Sequence, residues 1–160
     1  VDESLHEWHY EGRVITFAWV GERPVRLRRV YALAFTAGEM LLVGGGSGPP
    51  YRLPGGGIEA GETPTEALAR ELVEEAAATV TALRYLGAQR IDDPQGATEY
   101  QGFYWCRAEL AETFVPELEV RERLLVPPER FLETLFWGRD DPKAALLLEK
   151  ALAMDRLYGA

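Results

Sequence analysis

Residues 54–78 read P-G-G-G-I-E-A-G-E-T-P-T-E-A-L-A-R-E-L-V-E-E-A-A-A, a glycine loop that runs into a helix carrying carboxylates at a fixed spacing. Thr63-Pro64-Thr65-Glu66 predicts a capping box: Thr63 at the N-cap, Pro64 at the first helical position and Glu66 three residues on. The helix is expected to continue to about Thr79. Glu71, Glu74 and Glu75 stand at i, i+3 and i+4 and therefore share one face. Leu68, Leu72 and Ala76 share another and can pack inward. Three neighbouring carboxylates repel one another, so the cluster is either well solvated or neutralised by a divalent cation. Carboxylate oxygens are hard ligands of the kind Mg²⁺ accepts, and Mg²⁺ keeps its other positions for water and phosphate. The glycine loop lets backbone approach phosphates closely. A solvated acidic helix face is the ordinary alternative for such a stripe.

The offsets favour chemistry. Counting from Gly56, Glu62 follows after five residues and Arg70-Glu71 after seven more, then Leu72, then Glu74-Glu75. This resembles the signature of the Nudix hydrolases. At about 7% per residue type, matching its six fixed glycine and polar positions by chance has odds of roughly 10⁻⁷. One departure stands out: Ala77 occupies the place of the second glycine. A helix running slightly past that point is the expected consequence, with no ligand lost.

The resemblance implies an α/β/α sandwich with a mixed β-sheet and a hydrolase that splits a diphosphate linkage in a nucleoside diphosphate joined to another group. It implies Mg²⁺ or Mn²⁺ held by Glu71, Glu74 and Glu75, with the Gly55 carbonyl as a further ligand. Arg70 would orient the glutamates, and Glu62 would support them or activate water. An additional glutamate often comes from the acidic segment before the last strand. Glu119 is the best match in Pro116–Val126 and Glu122 the second, beside the reading of an exposed charged edge strand. Tyr51-Arg52-Leu53-Pro54-Gly55-Gly56 resembles the family's entry to the loop, which puts Tyr51, Arg52 and Gly56 at the substrate. Where many relatives carry basic residues at the end of the preceding strand, this chain has Gly44 and Gly45, so Arg52 is the substitute phosphate contact. Pro94 lies where the ADP-ribose branch of the family tends to have a proline, and Asp-Pro-x-Gly is also an ordinary turn. A module that binds without turnover, and a prenyl or sugar diphosphate substrate, stay open. Tyr51 and Tyr104 are the candidates for stacking on a base.

Composition sets bounds. At 160 residues with 47% apolar residues, one domain spanning 1–160 with a sizeable core is expected. A net charge of −9 makes the chain a poor candidate for a phosphate-tracking grip on polymeric nucleic acid, though a metal and local arginines can reverse the sign at one site. The single Cys106 forms no intrachain disulfide and reads as a buried small residue. No apolar run is long enough for a membrane span and no signal core opens the chain, so a cytoplasmic protein is expected.

Around the loop and helix, strands are expected at 13–20, 26–36, 40–43, 81–90 and 98–109, with the second and last apolar on both faces and therefore central. Helices are expected after Pro127 and after Asp141-Pro142. His6 and His9 read as surface or packing residues, and Trp8 and Trp19 as core or homodimer contacts.

Overall fold

A computed structural model describes residues 3–24, 26–46, 48–115 and 122–159. The strands are β1 (Glu3–Tyr10), β2 (Arg13–Val20), β3 (Arg29–Thr36), β4 (Glu39–Gly44), β5 (Tyr51–Arg52), β6 (Gly55–Gly57), β7 (Ala78–Asp92), β8 (Glu99–Leu110) and β9 (Glu122–Val126). The helices are α1 (Pro64–Ala76), a one-turn α2 (Phe131–Thr134) behind a 3₁₀ turn, and α3 (Pro142–Tyr158). The sheet runs β1-β2-β7-β8-β3-β4-β5, with β6 added to β3 and β9 to β4. β3 and β8 pair in parallel and the other pairs are antiparallel, so the sheet is mixed.

The two strands read as central, β3 and β8, lie side by side in the middle, and each feeds a core on both faces. Val30, Ala32 and Ala34 of β3 meet Leu68, Leu72 and Ala76 of α1 on one side. Leu33 and Phe35 meet Phe131, Leu135, Leu147 and Ala151 from α2, α3 and the turn between them on the other. Alternate side chains of a strand point to opposite faces, which is why a run of apolar residues requires cover on both. Leu68 and Leu72 are fully buried, and each such burial contributes about 1.5–3 kcal/mol toward holding α1 on the sheet.

Residues 3–10, for which no element was expected, form the edge strand β1 paired with β2. His6 stacks on Phe17 with ring centroids 4.2 Å apart, and the exposed His9 lies 3.7 Å from Glu7. Trp19 is in the core, whereas Trp8 is half exposed and stacks on Tyr10. Cys106 is fully buried, and burial pushes its thiol up to about 12.

The end of α1 corrects the expectation of a longer helix. α1 stops at Ala76, and Ala77 takes the left-handed conformation, φ 48° and ψ 43°, that a glycine would take more cheaply. The turn is imposed by packing: Ala78 is fully buried and already pairs with Leu110 in the sheet. Two contacts close the corner. The Arg123 guanidinium donates to the Ala76 carbonyl at 2.7 Å, and Ala111 N–H donates to the Ala77 carbonyl at 2.9 Å. Ala77→Gly relieves the left-handed penalty of about 1 kcal/mol. The expected result is a melting temperature higher by roughly 2–4 °C in a scanning melt, with activity unchanged.

Candidate active site

The site is the corner where β5, β6 and the start of α1 meet. The capping box forms as expected: Thr63 Oγ1 accepts from Glu66 N–H, and Glu66 Oε1 accepts from Thr63 N–H, both at 3.2 Å. It fixes the phase of α1, and with it the face on which Glu71, Glu74 and Glu75 stand.

Arg70 is the hub. Its Nε and Nη2 donate to the two carboxylate oxygens of Glu62 at 2.7 and 2.9 Å, a bidentate pair. Nη2 also donates to the Gly57 carbonyl at 3.1 Å, and Nη1 donates to Glu71 and Glu74, each at 3.2 Å. One cation thereby ties the loop to two glutamates of the helix. Glu62 also accepts from Glu59 N–H at 2.8 Å. The Arg70 pair and that backbone bond hold the Glu62 carboxyl below the usual range, and the Glu62 pair raises the Arg70 guanidinium further.

Glu75 is the buried member. Its Oε1 accepts from Gly55 N–H at 2.7 Å and its Oε2 from Arg52 Nη2 at 2.5 Å. Burial pushes its carboxyl up against the opposing pull of those two donors. Gly55 and Gly56 are glycines for different reasons. Gly55 has φ 146°, and a Cβ there would collide with Val30 O and the Tyr31 backbone. At Gly56 a Cβ would lie 2.5 Å from Glu71 Oε1, so the missing side chain leaves room for that carboxylate.

Among the described residues, no three carboxylate, imidazole or thiolate groups converge as they stand on a point that could hold a metal. The glutamates are instead held by Arg70, Arg52 and backbone N–H groups. The donor set nevertheless fits a hard divalent cation: three carboxylates share one helix face, and one has a cleared space before it at Gly56. Glu119 lies outside the described residues.

Three sequence expectations are changed by burial or pairing. Tyr51 is 9% exposed, packs in the core beneath α2 and α3, and donates its hydroxyl to Glu122 Oε1 at 2.7 Å, so its ring offers no face to a base. Its hydroxyl is raised by that bond and by burial. Tyr104 is fully buried on the α1 side. Glu122 accepts from Tyr51 and from Gly48 N–H at 3.2 Å, so it ties Gly48 to β9. The 92–99 turn is tied to the N-terminal hairpin by Arg13 and Asp93 at 2.9 Å. Arg28 pairs with Glu99 at 2.8 Å.

Beside Arg52 lies a cavity of about 210 Å³ that the sequence did not announce. Tyr31, Phe103 and Trp137 give it aromatic walls, and Gln101 and Lys143 give it polar ones. Gln89 is the one polar side chain in the buried stretch 86–89 of β7, and the register sets it opposite Gln101.

Comparison with known proteins agrees with the fold. The family model for the NUDIX domain matches residues 25–147. The chain is 31% identical over 99 residues to Nudix hydrolase 16, mitochondrial, of Arabidopsis thaliana, a match covering 62% of the chain and 52% of that protein. The chain thus spans about half the length of that curated relative. Among solved structures, a mutant of the Bacillus subtilis pyrophosphohydrolase BsRppH superposes with a TM-score of 0.71 at 22% identity, covering 93% of this chain and 97% of that one. The NUDIX domain of Shewanella oneidensis NrtR complexed with ADP ribose gives 0.59 at 21% identity, covering 84% and 90%. These likenesses establish the fold. No described helix is long and apolar enough to cross a membrane.

Proposed function

The chain belongs to the Nudix hydrolase family, and from that premise we propose that it hydrolyses the diphosphate linkage of a nucleoside diphosphate derivative, using Mg²⁺ or Mn²⁺. The observation that carries this reading is the Arg70 hub, which binds Glu62 and the Gly57 carbonyl on the loop and reaches Glu71 and Glu74 on the helix. A merely solvated acidic face has no use for a cation fixed at both ends.

In this reading Glu71, Glu74 and Glu75 hold the metal, with the Gly55 carbonyl and Glu119 as further ligands. The bound cation supplies charge neutralisation and an activated water. Glu62 is a positioning residue: both its oxygens are occupied by Arg70, and one also by Glu59 N–H, so it fixes the arginine and does not receive a proton from water. Arg70 keeps Glu71 and Glu74 from splaying apart by mutual repulsion. Arg52 meets Glu75 on one side and lines the cavity on the other, which places it to bind a phosphate oxygen of the substrate.

The test is release of phosphate or nucleotide from nucleoside triphosphates, ADP-ribose, dinucleoside polyphosphates and sugar nucleotides, each with Mg²⁺, Mn²⁺ or a chelator. Turnover of one class, lost with the chelator and restored by metal, is the expected result. No turnover of any class, with nucleotide still raising the melting temperature, would replace the hydrolase by a binding module of the same fold.

A further inference from the structure

The cavity beside Arg52 has a directional lining, and the direction follows from one buried lysine. Lys143, at the start of α3, is buried with its ammonium 4.4 Å from the centre of the Trp137 ring. It donates to Gln89 Oε1 at 2.8 Å and lies 3.2 Å from Asp141 Oδ2. An ammonium can only donate. The Gln89 amide is therefore fixed with its oxygen toward Lys143, and its nitrogen must turn the other way. That nitrogen donates to Gln101 Oε1 at 3.3 Å. Gln89 is itself 2% exposed, so the relay is not open to exchange with water. Gln101 is fixed in turn: its oxygen is taken by Gln89, and its amide nitrogen has no acceptor among the described residues. The charged and amide groups lining the cavity, Lys143, Gln101 and Arg52, thus all offer donors.

The walls suit a flat ring. Tyr31 and Phe103 stack on each other at 5.7 Å, Trp137 faces Lys143, and the Phe136 ring stands 62% exposed at the rim. Arg52 joins the cavity to the carboxylate cluster through Glu75.

We infer that this cavity is the specificity pocket of the hydrolase, that it takes a nucleobase presenting keto acceptors, guanine or uracil, and that Lys143 and Gln101 reject adenine and cytosine. Guanine O6 and uracil O4 are acceptors, whereas at the same positions adenine N6 and cytosine N4 carry donors that would face donors here. A donor set against donors leaves buried hydrogen-bonding groups unpaired, which is the strongest form of rejection available to a pocket. The inference rests on the nucleotide reading of the site and names its substrate class.

The test is equilibrium binding of GMP, UMP, AMP and CMP to the full chain without metal, read by tryptophan fluorescence and by calorimetry. GMP or UMP is expected to bind at least about tenfold tighter than AMP and CMP, or about 1.4 kcal/mol. Gln101→Glu keeps an acceptor for Gln89 but replaces the free donor by an acceptor, so the ratio is expected to collapse or invert. Lys143→Met releases the relay and is expected to bring the ratio within about twofold. Circular dichroism confirms folding of both variants, and Gln101→Glu suffices if Lys143→Met does not fold. Equal binding of all four, no binding of any, preference for the amino bases, or a ratio unmoved by Gln101→Glu would each overturn the inference. Turnover without base preference defeats this proposal and leaves the hydrolase; base-selective binding without turnover does the reverse.

Discussion

Gly55→Ala is expected to cost a large share of the stability of the fold, whereas Gly56→Ala, one residue on, is expected to cost activity instead. At Gly55 the backbone has φ 146°, a conformation that side chains other than glycine's rarely adopt. The added Cβ would meet Val30 O and Tyr31 Cα, both backbone atoms of the central strand β3. Neither can move without breaking the pairing of Tyr31 with Phe103 and Val30 with Gly102. Strain and overpacking together amount to roughly 3–5 kcal/mol. Against a typical total of about 5–15 kcal/mol, that is enough to lower the melting temperature by on the order of 10 °C or to prevent recovery of soluble protein. At Gly56 the obstacle is the Glu71 carboxylate at 2.5 Å, the free end of a side chain. Glu71 can swing aside, so the fold survives, but it leaves Arg70 and the place where its oxygen serves the site. Turnover is expected to fall on the order of 10–100-fold with little change in melting temperature. Denaturation and turnover measured on both variants check the pair. Equal melting of the two would mean that Gly55 is not pinned between the sheet and Glu75 as its contacts require.

How far the sequence reaches depends on whether residues are neighbours in the chain or only in space. The capping box, the carboxylate face of α1 and the central position of β3 and β8 are properties of short windows, and each is legible as spacing or as an apolar run. The orienting role of Arg70 comes from the resemblance alone; its pairs with Glu71 and Glu74, one and four residues away on the same helix, are what the structure adds. The end of α1 departs from expectation, because propensity at Ala77 favours continuing the helix, while the burial of Ala78 and its pairing with Leu110 require a left-handed turn there. The burial of Tyr51 is hidden from the sequence for a similar reason. A two-residue strand gives no alternation from which to read its inward face, and its partner Glu122 is 71 residues away. The donor relay is the extreme case: Lys143 and Gln89 are 54 residues apart and meet only when α3 docks on the sheet.

Glu74→Gln is expected to remove turnover while leaving the protein as stable as before, and this combination makes it the sharpest probe of the metal assignment. The Glu74 side chain is 46% exposed, and its one bond among the described residues is to Arg70 Nη1 at 3.2 Å. Glutamine keeps an oxygen that can accept from Arg70, and Arg70 stays anchored by Glu62 and the Gly57 carbonyl. A substitution of this kind on an exposed helix face changes stability by within about 0.5 kcal/mol. What is lost is one negative charge on the face shared by Glu71, Glu74 and Glu75. In the proposed reading a hard divalent cation would be held by that charge and would stabilise the developing charge of the reaction, so kcat is expected to fall roughly 10²–10³-fold. Glu75→Gln would not be so clean. Glu75 is buried and accepts from both Gly55 N–H and Arg52, so its amide would set a donor against the arginine and disturb the loop as well as the site. Kinetics at saturating metal, run beside a thermal melt, separate these cases. A Glu74→Gln protein that melts like the parent and turns over at the parent's rate would show that the cation sits elsewhere. A protein that recovers its rate only at much higher metal concentration would place Glu74 among the ligands and would make its contribution one of metal affinity.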